Sequence, residues 1–267
     1  MRLRPQLSLL LPVTGVLLSL AALLGVREPV SIDRVIAERS TPAAAGDQPR
    51  EPYGQPTDFS AEELAFLQRR FGVHGPQTPL AQLFTRGVDQ LEPLRLNTLQ
   101  RLQELKPVIL LEANRQHVNP MLIAGILYDE IQHSKPGEDL PFVAHSGLFS
   151  TLGPAQLGLS ELMHQGRLPR NPTDAQISKA RETLLNPASN VQLLVGKMAR
   201  LKAELGFDEE RMLMASRSAI DAKAIATLAY LHNGKLDYPA RILRYMQDPA
   251  LHGLIYSTQR APESGLI

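Results

Sequence analysis

Apolar residues return at helical spacing over most of the chain, and each run opens or closes on a helix-end signal. Ser60 and Glu63 form a capping box before Leu64, Phe66, Leu67 and Phe71, and Gly72 ends that helix. Leu80 to Leu91 is a second candidate. Pro107 opens a helix to about His117. Asn119 is a good N-cap with Pro120 at the first helical position, and this helix runs to about His133. Residues 134–153, rich in Gly, Pro and Ser, read as a long loop, and a short helix covers 155–165. Thr173 and Gln176 form a second capping box. Asn186-Pro187 starts a long helix that stops at Gly206. Two further helices cover about 208–232, broken near Ser216–Ser218, and 237–247. No alternating strand pattern and no repeat is visible, so the expected class is all-α, with one folded domain over residues 59–258 and a flexible tail at 259–267.

The N-terminal fifth of the pattern differs. Arg2 and Arg4 precede an apolar stretch from Leu7 to Val26. Basic residues before such a run mark an export signal. Its length is near the ~20 residues of a membrane helix and beyond the ~7–15 of a cleaved signal core. Residues 1–26 are therefore a signal peptide or a membrane anchor, with the rest exported. Residues 27–58, with Ala43-Ala44-Ala45-Gly46 and the Pro52, Gly54, Pro56 series, lack apolar periodicity and read as a disordered linker.

Composition narrows the chemistry. Lys+Arg 28 against Asp+Glu 27 leaves a formal charge of +1, which gives no case for a nucleic-acid partner. Cysteine is absent, which excludes disulfides, Cys-based metal sites and thiol nucleophiles. Tryptophan is absent and aromatics are 5% of residues, so a stacking platform must use Tyr, Phe or His.

One carboxylate stands out. Wound at 3.6 residues per turn, Ile123, Ile126, Leu127 and Ile131 fall on one arc with Glu130 in its middle; Asp129 lies beyond the edge, and Met121, Gly125 and Gln132 lie opposite. A carboxylate on an apolar face is costly to bury unless it is paired, metal-bound or held protonated for use. Burial favours the protonated form, the form a general acid needs. Two other readings stand beside the acid. One is a buried salt bridge to Arg115 or Lys197. The other is a di-metal site, since Glu130/His133 and Glu161/His164 repeat the Glu-x-x-His spacing. The second is weaker, because a Gly/Pro loop rather than a bundle helix separates the two motifs. No metal or cofactor is expected.

Five segments in order resemble the lytic transglycosylase and goose-type lysozyme superfamily over about residues 105–245. They are His117-Val118-Asn119-Pro120-Met121-Leu122, the apolar run Ile123 to Glu130, Ser150-Thr151-Leu152-Gly153-Pro154-Ala155-Gln156, Asn186-Pro187-Ala188-Ser189-Asn190-Val191, and Ala229-Tyr230-Leu231-His232-Asn233-Gly234. The resemblance implies a lysozyme-like helical domain that cleaves the β-1,4 bond between N-acetylmuramic acid and N-acetylglucosamine in peptidoglycan strands, with Glu130 catalytic. By the same resemblance Gly153 and Gln156 line the cleft. Ser150, Asn190, Asn233, Tyr128, Tyr230 and His232 complete a candidate substrate-binding set, with Phe149 a further stacking candidate. Two departures set this chain apart. Ile131 follows the glutamate where the family has Ser, and His232 stands where the family has Tyr before Asn. They point to a divergent enzyme or to a glycan-binding or scaffold protein on the same fold.

Overall fold

The structure is a computed structural model that describes residues 54–72, 92–134, 146 and 149–257. Of these, 67% are helical and 2% lie in strands, so the all-α class holds. In chain order the elements are α1 Ala61–Phe71, α2 Glu92–Arg115, α3 Pro120–Gln132, β1 Thr151–Leu152, β2 Leu157–Gly158, α4 Leu159–His164, α5 Asp174–Leu185, α6 Pro187–Glu204, α7 Ala219–Asn233, α8 Tyr238–Tyr245 and α9 Pro249–Tyr256. The expected helix at Leu80–Leu91, most of the 134–153 loop, the apolar segment 7–26 and the tail from 258 fall outside the described residues. No helix among the described residues is long and apolar enough to cross a membrane.

Local end signals set most boundaries. Ser60 Oγ accepts from Glu63 N at 3.2 Å while Glu63 Oε2 accepts from Ser60 N at 2.6 Å, and Thr173 and Gln176 repeat the exchange. Asn119 Oδ1 accepts from Met121 N at 2.9 Å and Asn186 Oδ1 from Ser189 N at 2.9 Å, so both Asn-Pro pairs open helices as expected.

Four features differ from the sequence expectation. Pro107 does not open a helix but sits inside the 24-residue α2. It forfeits one backbone bond there, and the helix continues because Leu102, Leu105, Ile109 and Ala113 are buried on its inner face. The short helix begins at Leu159 rather than 155, because Thr151–Leu152 and Leu157–Gly158 pair as a small antiparallel hairpin. Residues 208–218 are turns rather than helix. There Lys202 Nζ, on α6, draws in the carbonyls of Glu209 and Arg211 at 2.8 and 2.9 Å, with that of His117 at 2.9 Å. Carbonyls turned onto one ammonium do not lie along a common helix axis, so α7 starts only at Ser218, whose hydroxyl caps Asp221 N. Finally, α9 was not expected, although Asp248-Pro249 carries the signal: Asp248 Oδ1 caps Ala250 N and Leu251 N.

The core gathers around α3. It packs against α2 and α9, against α8, and against α7, while α6 lies across α2 and α7. The α1 helix joins this body through Phe59, whose ring is 5.5 Å from that of Tyr230 and lies under Lys223 Nζ at 4.0 Å.

Candidate active site

With neighbours on all sides, α3 has no solvent face. Every residue from Pro120 to Asp129 is buried, and so are Ile131 and Gln132; Glu130 is the exception, with its side chain 12% exposed. The side opposite Glu130 on the wheel is therefore core as well. Gly125 faces Ile242 and Met246, and Gln132 Oε1 accepts from Thr98 Oγ1 at 2.7 Å. Asp129 is 3% exposed and takes both Nε and Nη2 of Arg241 at 2.9 and 3.0 Å. Burial pushes its carboxyl up, but the His133 contact and the Arg241 guanidinium outweigh that and hold it below the usual range.

Three polar side chains converge on one oxygen of Glu130. Tyr238 Oη donates to Oε1 at 2.8 Å, Asn233 Nδ2 at 3.3 Å, and His232 Nε2 lies 3.3 Å from the same atom. Oε2 accepts no hydrogen bond among the described residues. The backbone explains the convergence. α7 ends at Gly234 in the left-handed conformation (φ 80°), and the short turn to α8 delivers Tyr238 beside the last two residues of α7. Asn233-Gly234 is thus a helix C-cap, and Asn233 also reaches the carboxylate.

Behind His232 stands Lys197 of α6. Its Nζ lies 3.3 Å from His232 Nδ1 and donates to His232 O at 3.1 Å. Burial, and then the Lys197 charge, push the His232 imidazole below its ordinary value despite the Glu130 hydrogen bond, which keeps it neutral near pH 7. Burial likewise lowers Lys197. Burial, and next the negative field of Glu130, raise the Tyr238 phenol well above its ordinary value, so it keeps its proton and acts as a donor. Neither expected salt-bridge partner touches Glu130. Arg115 is paired with Glu112 at 2.6 Å, and Lys197 reaches the carboxylate only through the imidazole.

The Glu-x-x-His pairs do not assemble. His133 Nδ1 bonds the Asp129 carbonyl at 2.8 Å, and Glu161 is engaged by Arg200 Nη2 at 3.0 Å and Gln165 Nε2 at 2.9 Å. Among the described residues no group of three or more His, Asp or Glu side chains is placed to hold a metal.

A groove of about 630 Å³ runs past His232, within the size range of small-ligand sites. It is lined by Phe71 and Arg70 of α1, by Ser150, Thr151, Gln156 and Ser160, and by Lys197, Arg200 and His232. The structure thus brings Ser150, Gln156 and His232 of the expected set to one groove, with Asn233 and Glu130 hydrogen-bonded next to its His232 wall. Gln156 is fixed in a φ of 47°; Thr151 Oγ1 donates to its Oε1 at 2.8 Å, and its Nε2 donates to Gly153 O at 3.2 Å.

The remaining expected residues lie elsewhere. Tyr230 is fully buried against Phe59, and Tyr128 is 6% exposed with its ring 4.6 Å from that of Tyr245. Both tyrosines are core residues and present no ring face to a sugar, a correction to their place in the binding set. Phe149 is half-buried against the core. Asn190 is wholly buried and works as a clamp: Oδ1 accepts from Ala155 N at 2.7 Å, and Nδ2 donates to Leu152 O at 3.0 Å and Leu184 O at 2.9 Å. Gly153 is buried beside it at φ 74°, where an added Cβ would stand 2.2 Å from Leu184 O. These two residues therefore shape the hairpin that presents Gln156, and neither lines the groove. Tyr238 was missed. Its position before Pro239 marks a helix start, but nothing local marks its hydroxyl as a partner of Glu130.

No family model, no characterised protein and no solved structure matches this chain. Function is therefore read from the side chains themselves.

Proposed function

We propose that the protein is a peptidoglycan-cleaving glycosidase of the lytic transglycosylase kind, built on a lysozyme-like helical domain and exported to the cell envelope, where residues 7–26 tether it or direct its export. The observation that carries this reading is Glu130. It is the one residue of an otherwise buried helix that is not fully enclosed; Tyr238 and Asn233 donate to its Oε1 and His232 Nε2 lies 3.3 Å from it, while Oε2 accepts no hydrogen bond among the described residues. Such a carboxyl is oriented for proton transfer at a defined atom.

In the proposed reaction Glu130 gives its proton to the glycosidic oxygen as the bond from that oxygen to C1 of N-acetylmuramic acid breaks. The same carboxylate then takes the proton of the muramyl 6-hydroxyl, whose oxygen bonds C1 and closes a 1,6-anhydro ring. One carboxylate serves both steps. Among the described residues, the carboxylates nearest Glu130 favour that scheme over the two-carboxylate mechanisms of ordinary glycosidases. Asp129, next in sequence, is buried in its pair with Arg241, and Glu161 in the groove is taken up by Arg200. Gln156 and Ser150 supply polar groups along the groove. Asn233 Oδ1 is buried without a hydrogen-bond partner among the described residues.

A second reading, a glycan-binding or scaffold protein, draws on Ile131. It is 6% exposed and packs in the core, so no hydroxyl follows the glutamate here. The two readings separate when full-length protein is incubated with purified sacculi and the released fragments are weighed. Fragments one water lighter than hydrolytic products establish the transglycosylase. Fragments with reducing ends establish a hydrolase. Binding without release establishes the second reading, and absence of both binding and release overturns the two together.

A further inference from the structure

His232 stands where the resemblance expects a tyrosine, and Lys197 stands behind it. Lys197 Nζ is 3.3 Å from His232 Nδ1, and His232 Nε2 is 3.3 Å from Glu130 Oε1. The His232 side chain is 3% exposed, so it has little access to water as an alternative partner. An ammonium has donors only. With Lys197 charged, Nδ1 facing it accepts, which leaves the ring proton on Nε2, aimed at the carboxylate.

We infer that Lys197 and His232 are positioning residues that orient Glu130: Lys197 locks His232 as the neutral Nε2–H tautomer, and the imidazole joins Tyr238 and Asn233 in capping Oε1, so that the proton Glu130 transfers is carried on Oε2. The tautomer follows from the contacts and from the Lys197 charge. Its consequence for proton transfer rests on the glycosidase reading. The charged and titratable groups around the pair are Glu130 and Asp129 on α3, Glu161 on α4, Arg200 on α6, and Tyr238 and Arg241 on α8. Lys197 opposes protonation of His232 by like charge, while Glu130 and Asp129 favour it. Protonated His232 would set a cation against Glu130 and hold it as carboxylate, the form that cannot act as an acid. Lys197 thus also keeps the acid in use at lower pH.

The test is long-range ¹H–¹⁵N NMR on full-length, histidine-labelled protein, with the His232 signals among the seven histidines assigned by their loss in His232→Gln. The wild-type ring is expected neutral at pH 7 with its proton on Nε2. A proton on Nδ1, or on both nitrogens, overturns the inference, whether or not the protein cleaves glycan. In Lys197→Met the tautomer preference should weaken and the titration midpoint of His232 should rise by roughly one unit, the size of effect a contacting charge produces. The acid limb of sacculus digestion should move to higher pH with it. An unchanged tautomer and midpoint in a folded Lys197→Met protein also overturns the inference. If that variant fails to fold, the wild-type spectrum still decides. The expected tautomer in a protein that never cleaves glycan would sink the enzyme reading and leave the locked imidazole standing.

Discussion

Replacing Glu130 by Gln separates catalysis from architecture because the site predicts opposite effects on the two. Glutamine keeps an acceptor at Oε1 for the three donors at 2.8, 3.3 and 3.3 Å. Bonds to a charged acceptor contribute ~1.5–3 kcal/mol and neutral ones ~0.5–1.5, so the exchange weakens the three by roughly 3 kcal/mol in all. For the ionised form of Glu130, removing a mostly buried charge returns several kcal/mol of desolvation. The new amide N–H₂ takes the place of Oε2, which has no hydrogen-bond partner to lose among the described residues. No cation in contact is left unpaired, since His232 is neutral and Lys197 keeps its bonds to the imidazole and the His232 carbonyl. The net change is about zero, within ~1 kcal/mol, which is ~2–4 °C in Tm for a domain of this size. Cleavage of sacculi, by contrast, should fall by ~10²–10⁴-fold, the contribution of a positioned general acid. Calorimetry and muropeptide release on the one variant supply both readouts. A loss of ~3–5 kcal/mol would show Glu130 to be a structural charge partner instead. Full activity in a folded variant would place the acid elsewhere.

Asp129→Asn should cost ~3–5 kcal/mol by denaturant unfolding, because it leaves Arg241, with its side chain 12% exposed, facing a neutral amide and only Asp237 as counter-charge. The held-down carboxyl of Asp129 contributes stability that is full above its unfolded value near pH 4 and is lost as pH falls through its lower folded value. Wild type should therefore lose more stability than Asp129→Asn between pH 5 and 2, and parallel curves would contradict the pairing. Gly153→Ala sets a Cβ 2.2 Å from Leu184 O and 2.6 Å from Asn190 Nδ2 in a left-handed backbone; with ~1–2 kcal/mol for the backbone and at least one Asn190 hydrogen bond displaced at ~1–3 kcal/mol, a loss of ~2–5 kcal/mol is expected, and a melting temperature equal to wild type would refute the clamp. A fragment of residues 59–258 should be soluble and helical by circular dichroism without residues 1–50, because the Phe59–Tyr230 contact and the Lys223–Glu63 pair tie α1 to the body; an unfolded spectrum would count against that boundary.

What the chain discloses about itself divides by reach. Ser60/Glu63, Asn119-Pro120, Thr173/Gln176 and Asn186-Pro187 act on backbone groups two to three residues away, so their helices start where the pattern says. The turns at 208–218 fail that reading because their carbonyls answer to Lys202, seven and nine residues upstream on another helix. Glu130 stood out because burying a carboxylate among isoleucines demands a reason, and that much is visible in periodicity. Its environment is not. Asn233 and Tyr238 lie 103 and 108 positions away, and the pair that immobilises neighbouring Asp129 lies 112 away. Motif resemblance gives order along the chain but not the direction a side chain takes. Tyr230 and His232 stand two apart on α7, about 200° around a helix, and only His232 turns to the groove while Tyr230 enters the core. A helix enclosed on every side by α2, α7, α8 and α9 also voids the assumption behind an amphipathic wheel, that polar residues mark the outside. On α3 the polar residues Asp129 and Gln132 are inside with partners from other helices, and the partners of Glu130 are set by where α7 ends and α8 begins.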